Sequence, residues 1–202
     1  MKTFDKQDIL KNLPEKNMHN KDTTSLKWKE DLINFFQNKK LESCLEIGTC
    51  RGVTTKVLSY LFDKVYTIEN NPSRLDDAKQ FCQERINIKY ILGDVYNDKT
   101  YINFPQSFNA VVIDCMHLYP YVMADINRAL SFFDEEKGLY LIFDDYGHPQ
   151  STGVKQAVDE SIQAGLNIET YIGQHPGFTV NRTDGSSFSI IHREGIILSY
   201  GK

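Results

Sequence analysis

The sequence predicts an α/β protein: a doubly wound sheet of about seven strands, mostly parallel, with an antiparallel last strand. Three observations predict it. From Cys44 onward, short apolar runs alternate with segments of helical period. Four of these runs stop at or beside an acid, at Glu46, Glu69, Asp94 and Asp114, where ligands sit in open α/β sheets. The last runs follow one another with no helical segment between them.

Composition sets the outer limits. A chain of 202 residues, 41% hydrophobic and 25% charged, fits one domain with a real core and excludes disorder. A net charge of −4 without a dense Lys/Arg block argues against strong nucleic-acid binding. No apolar stretch has the length of a membrane span, and Met1 to Asp5 lack the apolar centre of a secretory leader. The expectation is a cytoplasmic protein without a membrane partner; a homo-oligomer stays open. Cys44, Cys50, Cys82 and Cys115 have neither zinc-ribbon spacing nor a C-x-x-C pair and read as buried thiols.

Residues 1–40 read as an N-terminal arm and helix, and 41–202 as the main domain. Residues 1 to about 24 are polar, with Pro14 breaking any long helix, and suggest a loose arm or substrate lid. Ser25 is placed to cap a helix burying Leu26, Trp28, Leu32, Ile33, Phe35 and Phe36, which ends near Lys39-Lys40. Leu45 and Ile47 then mark a strand, and Val53, Val57, Leu58 and Leu61 a helix. Between them Gly48 and Gly52 make a tight turn whose backbone N–H groups and missing side chains admit a ligand. Glu46 adds a carboxylate able to hold an ammonium group. The dinucleotide fingerprint needs a glycine where Cys50 stands. What stands is E-x-G-x-x-x-G, which also occurs in ordinary strand-to-helix turns.

Lys64 to Glu69 alternate as a second strand. Glu69 falls about twenty residues after the turn, where an acid reaches both ribose hydroxyls. Asn71-Pro72 cap the next helix, whose inward face is Leu75, Ala78, Phe81 and Cys82. Asn87 to Leu92 form a third strand ending at Gly93-Asp94, itself a common turn pair. Phe108 to Asp114 read as a central strand covered on both faces. A helix begins near Pro120, Leu139 to Phe143 form a fifth strand delivering Asp144-Asp145, and Gly153 to Asp159 enter another helix ended by Gly165. Leu166–Ile172 and Ser187–His192 read as closing strands, with Gly195–Lys202 as a short addition; residues 173–186 are placed to border a substrate pocket.

The E-x-G-x-x-x-G turn resembles motif I of the class I S-adenosylmethionine-dependent methyltransferases, with their Rossmann-like sheet. The set D-x-x-H-x-Y from Asp114, D-I at Asp125, D-D-Y-G from Asp144 and G-V-K-x-A-V-D from Gly153 resembles the branch grouped with macrocin O-methyltransferase and, more distantly, catechol O-methyltransferase. The resemblance runs from about residue 43 to 162. It implies transfer of a methyl group from S-adenosylmethionine to a hydroxyl of a small-molecule acceptor. Cofactor contacts then fall on Glu46, Gly48, Thr49, Cys50, Arg51, Gly52, Thr54, Glu69, Asn70, Gly93, Asp94, Val95 and Asp114, with Asp94 accepting from the adenine amino group. In metal-dependent relatives the matching acids hold Mg²⁺, here Asp114, Asp144 and Asp145. The alternative is that Asp144 and Asp145 are loop and cap acids of a metal-free enzyme. His117 and Asp114 are the catalytic candidates, with His117 as general base, or else as a histidine tying down the next helix. Relatives place small or acidic residues at Cys115 and Met116. Two rival readings remain: a non-catalytic binding module of the same fold, and a nicotinamide-dependent dehydrogenase.

Overall fold

The computed structural model describes residues 6–11, 13, 23–182 and 184–202. Strands β1 (Ser43–Ile47), β2 (Lys64–Glu69), β3 (Ile88–Leu92), β4 (Ala110–Ile113) and β5 (Leu139–Phe143) lie parallel, with the order reversing between β1 and β4. β9 (Gly195–Tyr200) inserts antiparallel between β5 and β6 (Asn167–Ile172), completing a sheet of order β3-β2-β1-β4-β5-β9-β6. A separate hairpin joins β7 (Thr179–Asn181) to β8 (Ser187–Ser189).

The strand that closes the sheet is thus 195–200 rather than 187–192. Ile196, Ile197 and Leu198 are fully buried on both faces, as an interior strand requires, whereas Ser187 and Ser189 are exposed. The short addition at the chain end is the interior strand, and the expected closing strand belongs to the hairpin.

Helices cover both faces. α1 (Lys6–Lys11), α2 (Leu26–Phe36) and α3 (Val53–Leu61) pack on the face formed by Cys44, Val65, Val112 and Ile142. α5 (Tyr119–Leu130) and α6 (Thr152–Gln163) pack on Leu45, Ile47, Val111 and Leu141. α4 (Pro72–Phe81) buries Leu75 and Ala78. The caps lie where the side chains dictate: the Ser25 hydroxyl accepts from the Trp28 N–H at 3.1 Å, and Asn71 accepts from Ser73 and Arg74, with Pro72 in the first turn. Of the expected loose arm, α1 is helical and Ile9 and Leu13 are buried; Pro14 and the rest of 14–22 lie outside the described residues. No helix among the described residues is long and apolar enough to cross a membrane.

Candidate active site

A cleft of about 720 Å³ opens at the carboxyl ends of the strands, where the sheet order reverses. The chain crosses over to opposite sides of the sheet there, so the loops part and leave a gap. Of the residues singled out in the sequence, Gly48, Cys50, Glu69, Asn70, Asp94, Val95, Asp114, His117, Asp144 and Asp145 line it. Glu46, Thr49, Arg51, Gly52, Thr54 and Gly93 do not.

The turn after β1 is tied to β2. Gly48 and Thr49 donate their N–H groups to the Ile68 carbonyl at 3.2 and 3.1 Å, and Cys50 N–H reaches the Glu69 carboxylate at 2.8 Å. The other Glu69 oxygen accepts from Asn71 N–H at 2.9 Å. A carboxylate oxygen accepts more than one bond, so Glu69 keeps acceptor capacity toward the cleft. Gly48, at φ +103°, is required by contact as well as by conformation: a Cβ there would overlap the Asp114 carbonyl. Gly52 serves packing, since its Cβ would meet Ala78 of α4 at 2.9 Å. Arg51 turns outward toward Asp77, at 3.8 Å.

Strand alternation explains Glu46. Leu45 and Ile47 face α5 and α6, so Glu46 faces α3, where it accepts from Thr55 and Thr67 at 2.5 Å each. Thr49 continues this chain through a 2.5 Å contact with Thr67. Burial pushes the Glu46 carboxyl up to about 8.

The same alternation sends Asp114 and Asp144, each one residue past an α5/α6-facing position, toward α2. There lies Lys29, 1% exposed, its ammonium bound to the Thr24 carbonyl, the Thr24 hydroxyl at 2.6 Å and the Thr23 hydroxyl at 3.1 Å. Burial lowers Lys29 to about 8 against the pull of Asp144, Glu194, Asp114 and Glu46. Asp144 is raised well above the carboxylate range by burial, then by the charges of Asp145, Asp114 and Glu194; its Oδ1 is buried with no hydrogen-bond partner among the described residues.

Asp145 sits at φ +57°, uncommon for a residue with a side chain, and turns its carboxylate away from this group. Its Oδ2 accepts from the Ser151 hydroxyl at 3.0 Å and lies 3.1 Å from His117 Nδ1. Among the described residues no three His, Cys, Asp or Glu side chains come together as a group able to hold a metal ion. The donor set of Asp114, Asp144 and Asp145 therefore does not fit Mg²⁺ as it is arranged, because Asp145 is directed at an imidazole and a hydroxyl.

His117 Nε2 is 3.7 Å from Asp114 Oδ1, beyond hydrogen-bond reach, and is buried with no hydrogen-bond partner among the described residues. Asp114, then the charge of Asp145, raises the imidazole above its ordinary value against the opposing effect of burial.

Cys50 and Cys115, expected as buried thiols, are half-exposed in the cleft. Other lining residues carry no sequence signal of their own. Thr23, Thr24 and Ser25 form one wall from the segment before α2, while Tyr96 and Tyr121 form another, their rings 5.0 Å apart. The expectation that 173–186 border the pocket is met by Gln174, Phe178, Val180 and Arg182. His148 also lines the cleft; burial lowers its pKa, and its Nδ1 accepts from Gln150 N–H at 3.1 Å.

No curated protein matches the chain in sequence. Residues 45–133 match the family model described as a methyltransferase domain. Among solved structures, the O-methyltransferase TomG of Streptomyces achromogenes, involved in tomaymycin synthesis and bound to SAM, superposes with a TM-score of 0.66 at 16% identity over 98% of this chain and 91% of that one. The Bacillus cereus O-methyltransferase in complex with SAH gives 0.64 at 18% identity, over 96% and 88%. Aeropyrum pernix fibrillarin with natively bound S-adenosyl-L-methionine gives 0.55 at 18%, over 79% and 67%. The reversed β9, the switch-point cleft and the superpositions together give the chain the class I methyltransferase fold, and residues 45–133 within it match the methyltransferase-domain model.

Proposed function

We propose that the chain transfers a methyl group from S-adenosylmethionine to a hydroxyl oxygen of a small molecule, with His117 as general base. The observation that carries this reading is the His117 imidazole, which lines the cleft with the Asp145 carboxylate 3.1 Å from Nδ1 and the Asp114 carboxylate 3.7 Å from Nε2. An imidazole held between two carboxylates in a cleft wall is suited to take a proton from an incoming hydroxyl.

Residues of this chain suit the nucleoside. Glu69 offers acceptor capacity for ribose hydroxyls and Asp94 for the adenine amino group, and Gly48 lines the cleft beside them. Bound there, S-adenosylmethionine supplies a methyl carbon on a sulfonium sulfur; the C–O bond forms as the C–S bond breaks, and its electron pair stays on sulfur. The hydroxyl proton passes to the His117 imidazole. Asp145 and Ser151 keep the ring in place, and positioning supplies much of the rate. The acidic lining of Glu69, Asp94, Asp114, Asp144, Asp145 and Glu194 disfavours a polyphosphate acceptor. No metal enters the reading, because the acids do not converge on a metal position.

Calorimetric titration with S-adenosylhomocysteine tests the cofactor half: absence of binding to the folded chain ends the proposal. Methyl transfer to a hydroxyl panel tests the other half. His117→Asn is expected to bind S-adenosylhomocysteine as the parent does and to lose about 10²-fold or more in turnover.

A further inference from the structure

The β7–β8 hairpin has two unlike faces. Val180 pairs directly with Phe188, and the pairing extends through Ile190 N–H to the Phe178 carbonyl and Arg182 N–H to the Ser186 carbonyl. Alternation therefore gathers Phe178, Val180, Arg182, Phe188 and Ile190 on one face and leaves Thr179, Asn181, Ser187 and Ser189 on the other. All five residues of the first face line the cleft. An isolated two-stranded hairpin is marginal in water, and this one keeps Phe178 38% exposed above the cleft. The His148 ring, 4.3 Å from that of Phe188, continues the wall toward the acid loop.

Arg182 is out of keeping with this apolar face. Its guanidinium lies 4.8 Å from the Phe188 ring, and its side-chain hydrogen bond goes to the Gln150 amide oxygen at 3.3 Å. Among the described residues it forms no ion pair, although the cleft floor carries Asp114, Asp144 and Asp145. The acids stand at the strand ends and the guanidinium on the lid opposite. A ligand reaching from His117 to Arg182 thus meets a base at one end, an aromatic wall between, and a planar cation at the other.

We propose, resting on the methyl-transfer reading above, that the acceptor is an aromatic hydroxyl compound bearing a carboxylate. Its ring packs against Phe178, Val180 and Phe188, its carboxylate pairs with Arg182, and its hydroxyl faces the His117 imidazole in the cleft wall. Guanidinium is the side chain best matched to a carboxylate, through two parallel N–H···O bonds, and its stacking on Phe188 holds it ready to form them.

The test uses the full chain saturated with S-adenosylhomocysteine, titrated calorimetrically with 4-hydroxybenzoate, 4-hydroxycinnamate, their methyl esters and tyramine. The better of the two acids is expected to bind about ten-fold tighter than its ester. Arg182→Gln, on a side chain with no buried role, is expected to bring that acid to the affinity of the ester while leaving S-adenosylhomocysteine binding and the melting temperature unchanged. Equal affinity for acid and ester, tighter binding of the amine, failure of all five to bind, or an unchanged preference in Arg182→Gln overturns the proposal and leaves the methyl-transfer reading standing. Failure of S-adenosylhomocysteine itself to bind overturns both.

Discussion

The Glu194 carboxylate takes the backbone N–H of Ser25 at 2.8 Å and its hydroxyl at 2.5 Å, joining residues 169 positions apart. It also accepts from Gln174 N–H at 2.8 Å. One side chain at the start of β9 thus fixes both the segment leading into α2 and the loop after β6, two walls of the cleft. Glu194→Ala strands three donors and is expected to lower stability by about 2–3 kcal/mol. Limited proteolysis should then open the chain near Thr23 before the core unfolds. An unchanged melt with unchanged cleavage would refute this role.

Gly48→Ala is expected to cost more. The position combines φ +103° with a carbonyl contact that leaves no space for a methyl group, and the contacting atom is backbone, Asp114 O, which has little freedom to retreat. A loss of at least ~3 kcal/mol follows, measured by urea denaturation. Gly52→Ala is strained too, at φ +78° with Ala78 Cβ at 2.9 Å and Cα at 3.0 Å, so α4 has to shift as a body; the overlap is shallower than the 1.9 Å contact at Gly48, and a smaller loss is expected.

The strands and their acid ends were legible in the sequence because apolar runs of period two are a local property. Lys64–Glu69 and Leu139–Phe143 match the expected limits, and Ser25 and Asn71 cap where expected. Two things were hidden. Strand pairing is non-local: 195–200 and 187–192 both read as strands, and only burial on both faces separates the sheet member from the hairpin. A lysine reads as solvent-facing, so Lys29 was absent from the expected buried face of α2, although it continues the helical spacing from Trp28 to Leu32 and Ile33. The cleft residues the sequence named one by one follow motifs; Glu194, which it did not name, and Arg182, expected only as part of 173–186, come together through β9 and the hairpin.

Asp145→Asn should change a pH profile more than a fold. Asp114 and then Asp145 hold the His117 imidazole above its ordinary pKa, so the base is protonated to a higher pH than a free imidazole would be. Removing the Asp145 charge lowers that pKa, and the acidic limb of turnover against pH moves to lower pH. Turnover at the plateau falls as well, because the ring loses its charged anchor. A limb that stays in place would show that His117 is not the titrating base.

Chelation is expected to leave methyl transfer unchanged. Asp145 is directed at His117 and Ser151, and Asp114 and Asp144 share their side of the sheet with Lys29, whose ammonium supplies positive charge. Turnover after exhaustive dialysis against EDTA, with and without added Mg²⁺, checks this. A dependence on Mg²⁺ would mean that the acid loop rearranges on binding it.

Glu46→Gln separates a buried acid from its proton. Burial, opposed by the Thr55 and Thr67 hydroxyls and aided by Asp114 and Glu69, lifts the carboxyl from 4.5 to about 8. Between those limits the unfolded chain has released the proton and the folded chain retains it, so the folded state binds more protons and stability falls as pH rises. The slope for one such group is up to about 1.4 kcal/mol per pH unit. Below the lower limit both states are protonated, and above the upper one neither is, so the dependence flattens at each end. The amide oxygen introduced by the substitution can still accept from Thr55 and Thr67, but the new side chain carries no titrating proton. Relative to the parent, Glu46→Gln should therefore gain stability progressively from pH 5 to pH 8. Urea denaturation of both proteins at those two values measures the difference, and parallel stability curves would place the proton elsewhere.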